Sequence, residues 1–230
     1  MTVDTVSLFL ALLAVVAELA TAAAIVLAVG GRFSPALRPL GRQAVEAVAP
    51  SALALAAVVA AVCTAGSLYF SEVAHFPPCH LCWLQRFCMY PLVPILGLAA
   101  FLGGSGRRCR GDTPQPPGRR AGWIRPYAAA VAFVGACIST YHVALEHHPE
   151  WESSVCDPKN PCTVIWVKRL GYLTIPTMAL SGFALVITLL AVSRAGDRIE
   201  PSDLPPGDGG CPPDGGGVSR QKRSEVHGHH

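Results

Sequence analysis

Residues 51–70 read SALALAAVVAAVCTAGSLYF, a stretch without one charged side chain. A helix of about 20 apolar residues crosses the hydrocarbon core of a bilayer, so this run is long enough for one passage. It lacks the two-residue alternation of a barrel strand. A helix also satisfies its own backbone N–H and C=O groups, which lipid cannot do. Four further runs have the same character: Val3–Val29, Trp83–Leu102, Tyr127–Leu145 and Leu173–Val192. Only 14% of the 230 residues are charged, against about 25% in soluble domains. The expected fold class is therefore all-α, a multi-pass membrane protein with five spans. Composition excludes a disordered chain, a nucleic-acid binder and a small disulfide-stapled domain.

The loops between the spans differ in charge. Gly30–Ala49, Gly103–Arg125 and the tail from Ser193 hold 14 of the 18 basic residues. Ser71–Cys82 holds none, and in Glu146–Tyr172 the three basic residues Lys159, Lys168 and Arg169 are offset by acids. The positive-inside rule then puts the N-terminus outside, the Arg-rich loops and the tail in the cytoplasm, and the other two loops on the extracytoplasmic side. Met1–Asp4 has no basic n-region and the run after it is long for a signal peptide, so the first span is expected to be retained. Residues 1–49 read as a helix plus an Arg-containing cytoplasmic loop, and 50–193 as the main membrane domain. Residues 194–230, rich in Gly, Pro and charge, read as a disordered cytoplasmic tail. There is no convincing internal repeat.

On this topology four of the nine cysteines face the side where disulfides persist. Cys79 and Cys82 form Cys-His-Leu-Cys at the mouth of a span. A C-x-x-C closes a small ring that is easily reduced and reoxidised, and a helix N-terminus favours a thiolate at Cys82. Arg86 lies one turn further along. Its guanidinium stays charged and can support that thiolate and hydrogen-bond a ligand carbonyl, or else snorkel to headgroups. Cys156 and Cys162 lie in a polar loop where Pro158 and Pro161 oppose a helix. Five intervening residues allow a disulfide there, expected to be mobile and exposed. Two such pairs on one face favour a relay over structural staples.

The stretch Pro78-Cys79-His80-Leu81-Cys82-Trp83-Leu84-Gln85-Arg86, followed by Met89-Tyr90-Pro91-Leu92, resembles the DsbB/BdbC disulfide-bond-formation family. Pro161-Cys162 through Gly171-Tyr172-Leu173-Thr174-Ile175-Pro176 resembles that family's last loop and final helix, particularly in the BdbC branch. The resemblance covers roughly residues 51–192. It implies a four-helix membrane bundle, with Val3–Val29 as an extra N-terminal helix. It also implies a protein-disulfide:quinone oxidoreductase that reoxidises a DsbA-like, thioredoxin-fold thiol oxidase outside the cytoplasm. Electrons would pass to a membrane quinone, ubiquinone or menaquinone. By the same resemblance Cys79 and Cys82 are the quinone-linked pair, with Cys82 engaging the quinone beside Arg86. Cys156 and Cys162 exchange with the partner, and Cys156 forms the mixed disulfide. Leu84 stands where some members carry an aromatic residue.

Three other readings compete. A vitamin K epoxide reductase-like enzyme would carry its C-x-x-C late, after the loop cysteines, and here the order is reversed. A non-enzymatic membrane protein with structural outer disulfides leaves Arg86 unexplained. A metal transporter would use Cys79, His80, Cys82 and the distant His142, His147 and His148, but an oxidising face favours the disulfide. His142, one turn from the end of its span, reads as an interfacial residue, and His147 and His148 as solvated. Glu18 stands mid-span without a nameable partner. Cys63, Cys88 and Cys137 read as small core residues, and Pro91 and Pro94 as kinks.

Overall fold

The computed structural model describes residues 2–105, 124–152, 156 and 160–199. All five expected spans are helices. They are α1 (Val3–Phe33), α3 (Ala52–Leu68, prolonged by a π-helical turn at Tyr69–Val73), α4 (His80–Ser105), α5 (Ile124–His147) and α6 (Ile175–Ile199). Thr2 caps α1 by accepting the Thr5 N–H, with Asp4 in the first turn and Arg32 in the last, as the helix dipole favours. Pro91 and Pro94 are accommodated within α4.

Two elements depart from the sequence expectation. The segment read as an Arg-containing loop holds a further helix, α2 (Leu37–Val48). Leu37, Leu40, Ala44 and Val48 recur at helical spacing there, and the Arg42–Glu46 ion pair adds support at 2.7 Å. Pro39 signals a break, yet it falls in the first turn, where its missing N–H has no intrahelical partner to lose. The last span also starts two residues late. Leu173 and Thr174 form strand β2, paired antiparallel with β1 (Lys168–Arg169), and an apolar run alone does not separate such a strand from a helix start. The connecting turn holds Leu170 and Gly171 at positive φ, 49° and 85°, a conformation that glycine adopts without strain. At its other end α6 runs on to Ile199, where Asp197 pairs with Arg125 of α5. The rest of the expected tail, with Cys211, and the loop holding Cys109 lie outside the described residues.

The core lies among α3, α4, α5 and α6. Ala56 and Ala60 meet Leu92, Leu96, Ala132, Phe183 and Val186. Small residues let the helices approach: a Cβ on Gly135 would stand 2.3 Å from the Phe183 ring. The outside is apolar as well, with Val16, Leu19, Phe87 and Phe133 all more than 60% exposed. Soluble monomers rarely show contiguous apolar surface on this scale, whereas lipid covers it without penalty. The protein is a multi-pass membrane protein.

α1 stands outside this core and packs on α6 through Ala11, Ala14 and Met178. Polar ties reinforce the contact. Arg169 reaches Asp4 and donates to Ser7 Oγ at 3.0 Å. Glu18, unexplained in the sequence, accepts hydrogen bonds from Tyr172 Oη and Ser181 Oγ, each at 2.8 Å. Interhelical hydrogen bonds in membranes contribute on average about 0.6 and at most about 1.7 kcal/mol each. Glu18→Ala should therefore destabilise the protein by about 1–3 kcal/mol in equilibrium unfolding from mixed micelles. An unchanged unfolding midpoint would show that these bonds do not hold α1.

Candidate active site

The chain leaves α3 through the π-helical turn, with His75 at φ 56°, and Phe76, Pro77 and Pro78 then run irregularly to α4. Cys79 stands immediately before α4. The Cys82 N–H donates to its Sγ at 3.3 Å, and the Trp83 N–H donates to its carbonyl at 3.1 Å. The sulfur thus occupies the position of a helix-capping oxygen, taking one of the backbone donors left free in a first turn. Cys82 lies inside that turn with its Sγ 2.8 Å from that of Cys79.

With the proton on Cys82, the charge sits on the sulfur that receives a backbone N–H and faces an imidazole. The Cys79 thiol is accordingly held well below the usual thiol range. The main cause is the hydrogen bond from the Cys82 thiol, and the hydrogen bonds from His142 and the Cys82 N–H add to it against the opposing effect of burial. The sequence favours a thiolate at Cys82. Here the cap geometry favours one at Cys79.

Cys156 and Cys162 form a disulfide. It was expected to be exposed, but Cys156 is 8% and Cys162 1% exposed. Asn160 ties the loop to the segment before the first pair, and Glu152 closes the loop on itself. Asn160 Nδ2 donates to the Pro78 carbonyl at 3.0 Å, and the Glu152 carboxylate accepts the Cys162 N–H at 2.8 Å and the Thr163 hydroxyl at 3.3 Å. Both pairs pack into one cluster with Leu81 and Leu145. The neighbouring Pro158 and Lys159 lie outside the described residues.

Between the pairs stands His142 of α5, 3% exposed. Its Nδ1 is 3.2 Å from Gln85 Nε2, and its Nε2 is 3.0 Å from the Cys162 carbonyl and 3.8 Å from Cys79 Sγ. With the Gln85 amide donating to Nδ1, the ring proton sits on Nε2, where it faces both couples. The sequence alone marks this histidine as interfacial. A usable signal was present, because counting by threes and fours from Ala128 through Ala132, Gly135 and Ser139 reaches His142 on the buried face.

Arg86 does not snorkel. Its Nε donates to Ser67 Oγ at 2.9 Å and its Nη2 to the Ser67 carbonyl at 3.0 Å, and its guanidinium lies 5.1 Å from the centre of the Trp83 ring. An arginine at the centre of a membrane helix costs about 2.5–3.5 kcal/mol. Two charge-assisted bonds at about 1.5–3 kcal/mol each and a cation–π contact of about 0.5–2 kcal/mol offset that cost. Two of the five guanidinium donors are used on Ser67, which leaves others for a ligand. Cys82, Gln85 and Arg86 border a cavity of about 370 Å³ that is otherwise mostly apolar. Its size and its single polar end suit a small amphiphile with a carbonyl group.

The five expected site residues thus share one end of the bundle: the four cysteines in one cluster and Arg86 beside Cys82. Other expectations fare differently. Cys63 packs against the core and Cys88 is partly buried, but Cys137 is exposed on the lipid-facing side. His148 pairs with Glu150 at 3.0 Å in an exposed turn. The sulfurs of Cys79 and Cys82 and a ring nitrogen of His142 lie within 4.8 Å of one another, but among the described residues no fourth ligand joins them.

A family model described as "Disulfide bond formation protein DsbB" matches residues 49–193, well over half of the chain, and the chain belongs to that family. Among its relatives, "Disulfide bond formation protein C" of Bacillus subtilis is 37% identical over 144 residues, which are 62% of this chain and 91% of that one. "Probable disulfide formation protein C" of Bacillus cereus is 36% identical over 127 residues, 54% and 78% of the two chains. "Probable disulfide formation protein" of Deinococcus radiodurans is 33% identical over 157 residues, 62% and 88%. No solved structure matches the chain.

The lowered Cys79 pKa has a kinetic signature. An ordinary thiol has a pKa of about 8.5, so its alkylation slows tenfold for each pH unit below that value. In the reduced protein, alkylation of Cys79 by iodoacetamide should instead stay near its plateau from pH 8 down to pH 6. His142→Phe should move the midpoint upward. A tenfold loss per unit from pH 8 downward in the unsubstituted protein would contradict this.

Proposed function

We propose that this protein is a membrane thiol–disulfide oxidoreductase that reoxidises a thioredoxin-fold thiol oxidase outside the cytoplasm and delivers the electrons to a membrane quinone. One observation carries the reading: two cysteine pairs are packed together at one bundle end, with Cys82 and Arg86 on the rim of an apolar cavity. Arg32, Arg125 and Arg198 lie at the opposite helix ends, which favours the cysteine end as extracytoplasmic. Residues 50–193 carry the activity, and residues 1–49 add a membrane helix and its following segment.

A thiolate of the reduced partner attacks Cys156, the less buried sulfur of the loop disulfide, forming a mixed disulfide and releasing Cys162. The partner's second thiol resolves that bond. Two electrons and two protons have then moved onto Cys156 and Cys162, and the partner leaves oxidised. Cys162 next attacks Cys79 of the Cys79–Cys82 disulfide, and Cys156 resolves the new bond. The loop disulfide is restored, and Cys79 and Cys82 are left as a dithiol. His142 holds Cys162 beside Cys79 and keeps a proton at Nε2 for whichever sulfur is leaving. The cavity fits a quinone, which when bound takes up the two electrons and two protons of the dithiol. Gln85 and Arg86 would hold its carbonyl, and Cys82 would face it.

In the purified protein Cys82→Ser should abolish partner-dependent quinone reduction. Arg86→Ala should raise the quinone KM about tenfold or more, as loss of a charge-assisted hydrogen bond of about 1.5–3 kcal/mol requires. Near-normal turnover without the Cys82 thiol would sink the mechanism, and an unchanged KM would remove Arg86 from the acceptor site.

A further inference from the structure

The family match begins at residue 49, so α1 lies outside it, yet α1 supplies one side of the cavity. Leu10, Leu13, Ala14, Val16 and Ala17 line it, facing Ser67 of α3 and Arg86 of α4 across the space. α1 rests on α6 and meets α3 closely at Gly66, where an added Cβ would stand 2.9 Å from Leu10 Cδ1. Without α1 the groove among α3, α4 and α6 would lie open to lipid along its length. Lipid gives packed helices little hydrophobic incentive to associate, so placement depends on close packing and polar ties. Here the ties bracket the lining stretch. Arg169 holds Asp4 and Ser7 before it, and Tyr172 and Ser181 hold Glu18 after it.

We infer that α1 is the lateral wall of the acceptor site, and that the side chains at Leu13 and Ala17 set the cross-section of the quinone ring it admits. This rests on the reading of the cavity as the quinone site. Ala17 is small and almost fully covered, so bulk added there has only the cavity to enter. Leu13, about two-fifths exposed, reaches the same space from the previous turn. α1 thereby turns a groove common to a four-helix bundle into a slot of defined width, a property of this chain's extra helix.

The test uses the full chain in lipid nanodiscs, with a reduced thioredoxin-fold thiol oxidase as electron donor and a benzoquinone and a naphthoquinone of equal tail length as acceptors. Ala17→Phe should raise the KM for both quinones at least tenfold. The rate at which dithiothreitol reduces the Cys156–Cys162 disulfide, which needs no quinone, should not change. Leu19→Phe, on the lipid-facing side of the same helix, should leave KM within twofold. Leu13→Ala removes bulk and does not depend on the fit of a new ring. It should shift the KM ratio at least fivefold in favour of the larger naphthoquinone. Wild-type KM values and ratio in the Ala17 and Leu13 variants, with Arg86→Ala still impaired, would overturn the role of α1 and leave the function standing. Wild-type protein that reduces neither quinone would overturn the cavity assignment itself.

Discussion

One imidazole keeps the two sulfur couples in register. His142 Nε2 is within hydrogen-bond distance of the Cys162 carbonyl and faces the Cys79 sulfur, while Gln85 fixes the ring from behind. Thiol–disulfide exchange needs the attacking sulfur beside its target, and the His142 contacts hold Cys162 and Cys79 as neighbours. The rest of the site depends on that arrangement. Asn160 ties the loop to the first pair, Glu152 closes the loop on itself, and the first turn of α4 presents backbone N–H to Cys79. Burial of the loop disulfide follows.

The polar groups within the spans obey the same constraint. A charged group surrounded by hydrocarbon is costly unless matched, and Arg86 and Glu18 are matched across helices. Arg86 joins α4 to α3 through Ser67, and Glu18 joins α1 to α6. The first match orients a donor fork toward the cavity, and the second fixes the helix that closes it. Stability and function therefore draw on the same few bonds.

Much of this was legible in the sequence. Uncharged runs of about 20 residues identify spans with little ambiguity, because lipid leaves the backbone few alternatives. The Cys-His-Leu-Cys motif followed by Arg86 pointed to the candidate site, and the loop cysteines pair as their spacing allows. What failed to show was three-dimensional pairing. His142 looked isolated because Cys79 and Cys162 are 63 and 20 residues away, and Glu18 because Tyr172 and Ser181 are more than 150 residues distant. The exposure of the loop disulfide was misjudged for the same reason. Its polar neighbours suggested solvent, but Asn160 and Glu152 spend their hydrogen bonds inside the protein. α2 does not show because its arginines mark residues 30–49 as a cytoplasmic loop, although its apolar residues keep helical spacing.

The most direct measurement is to ask whether the two couples can join. In a Cys82→Ser, Cys156→Ser double variant, Cys79 and Cys162 are the remaining members of the two pairs. If they stand side by side with His142 between them, mild oxidation should link them within one chain, and non-reducing mass spectrometry of the digested protein should find a Cys79–Cys162 peptide as the main product. Two freely alkylated thiols, or links only between separate chains, would contradict the relay.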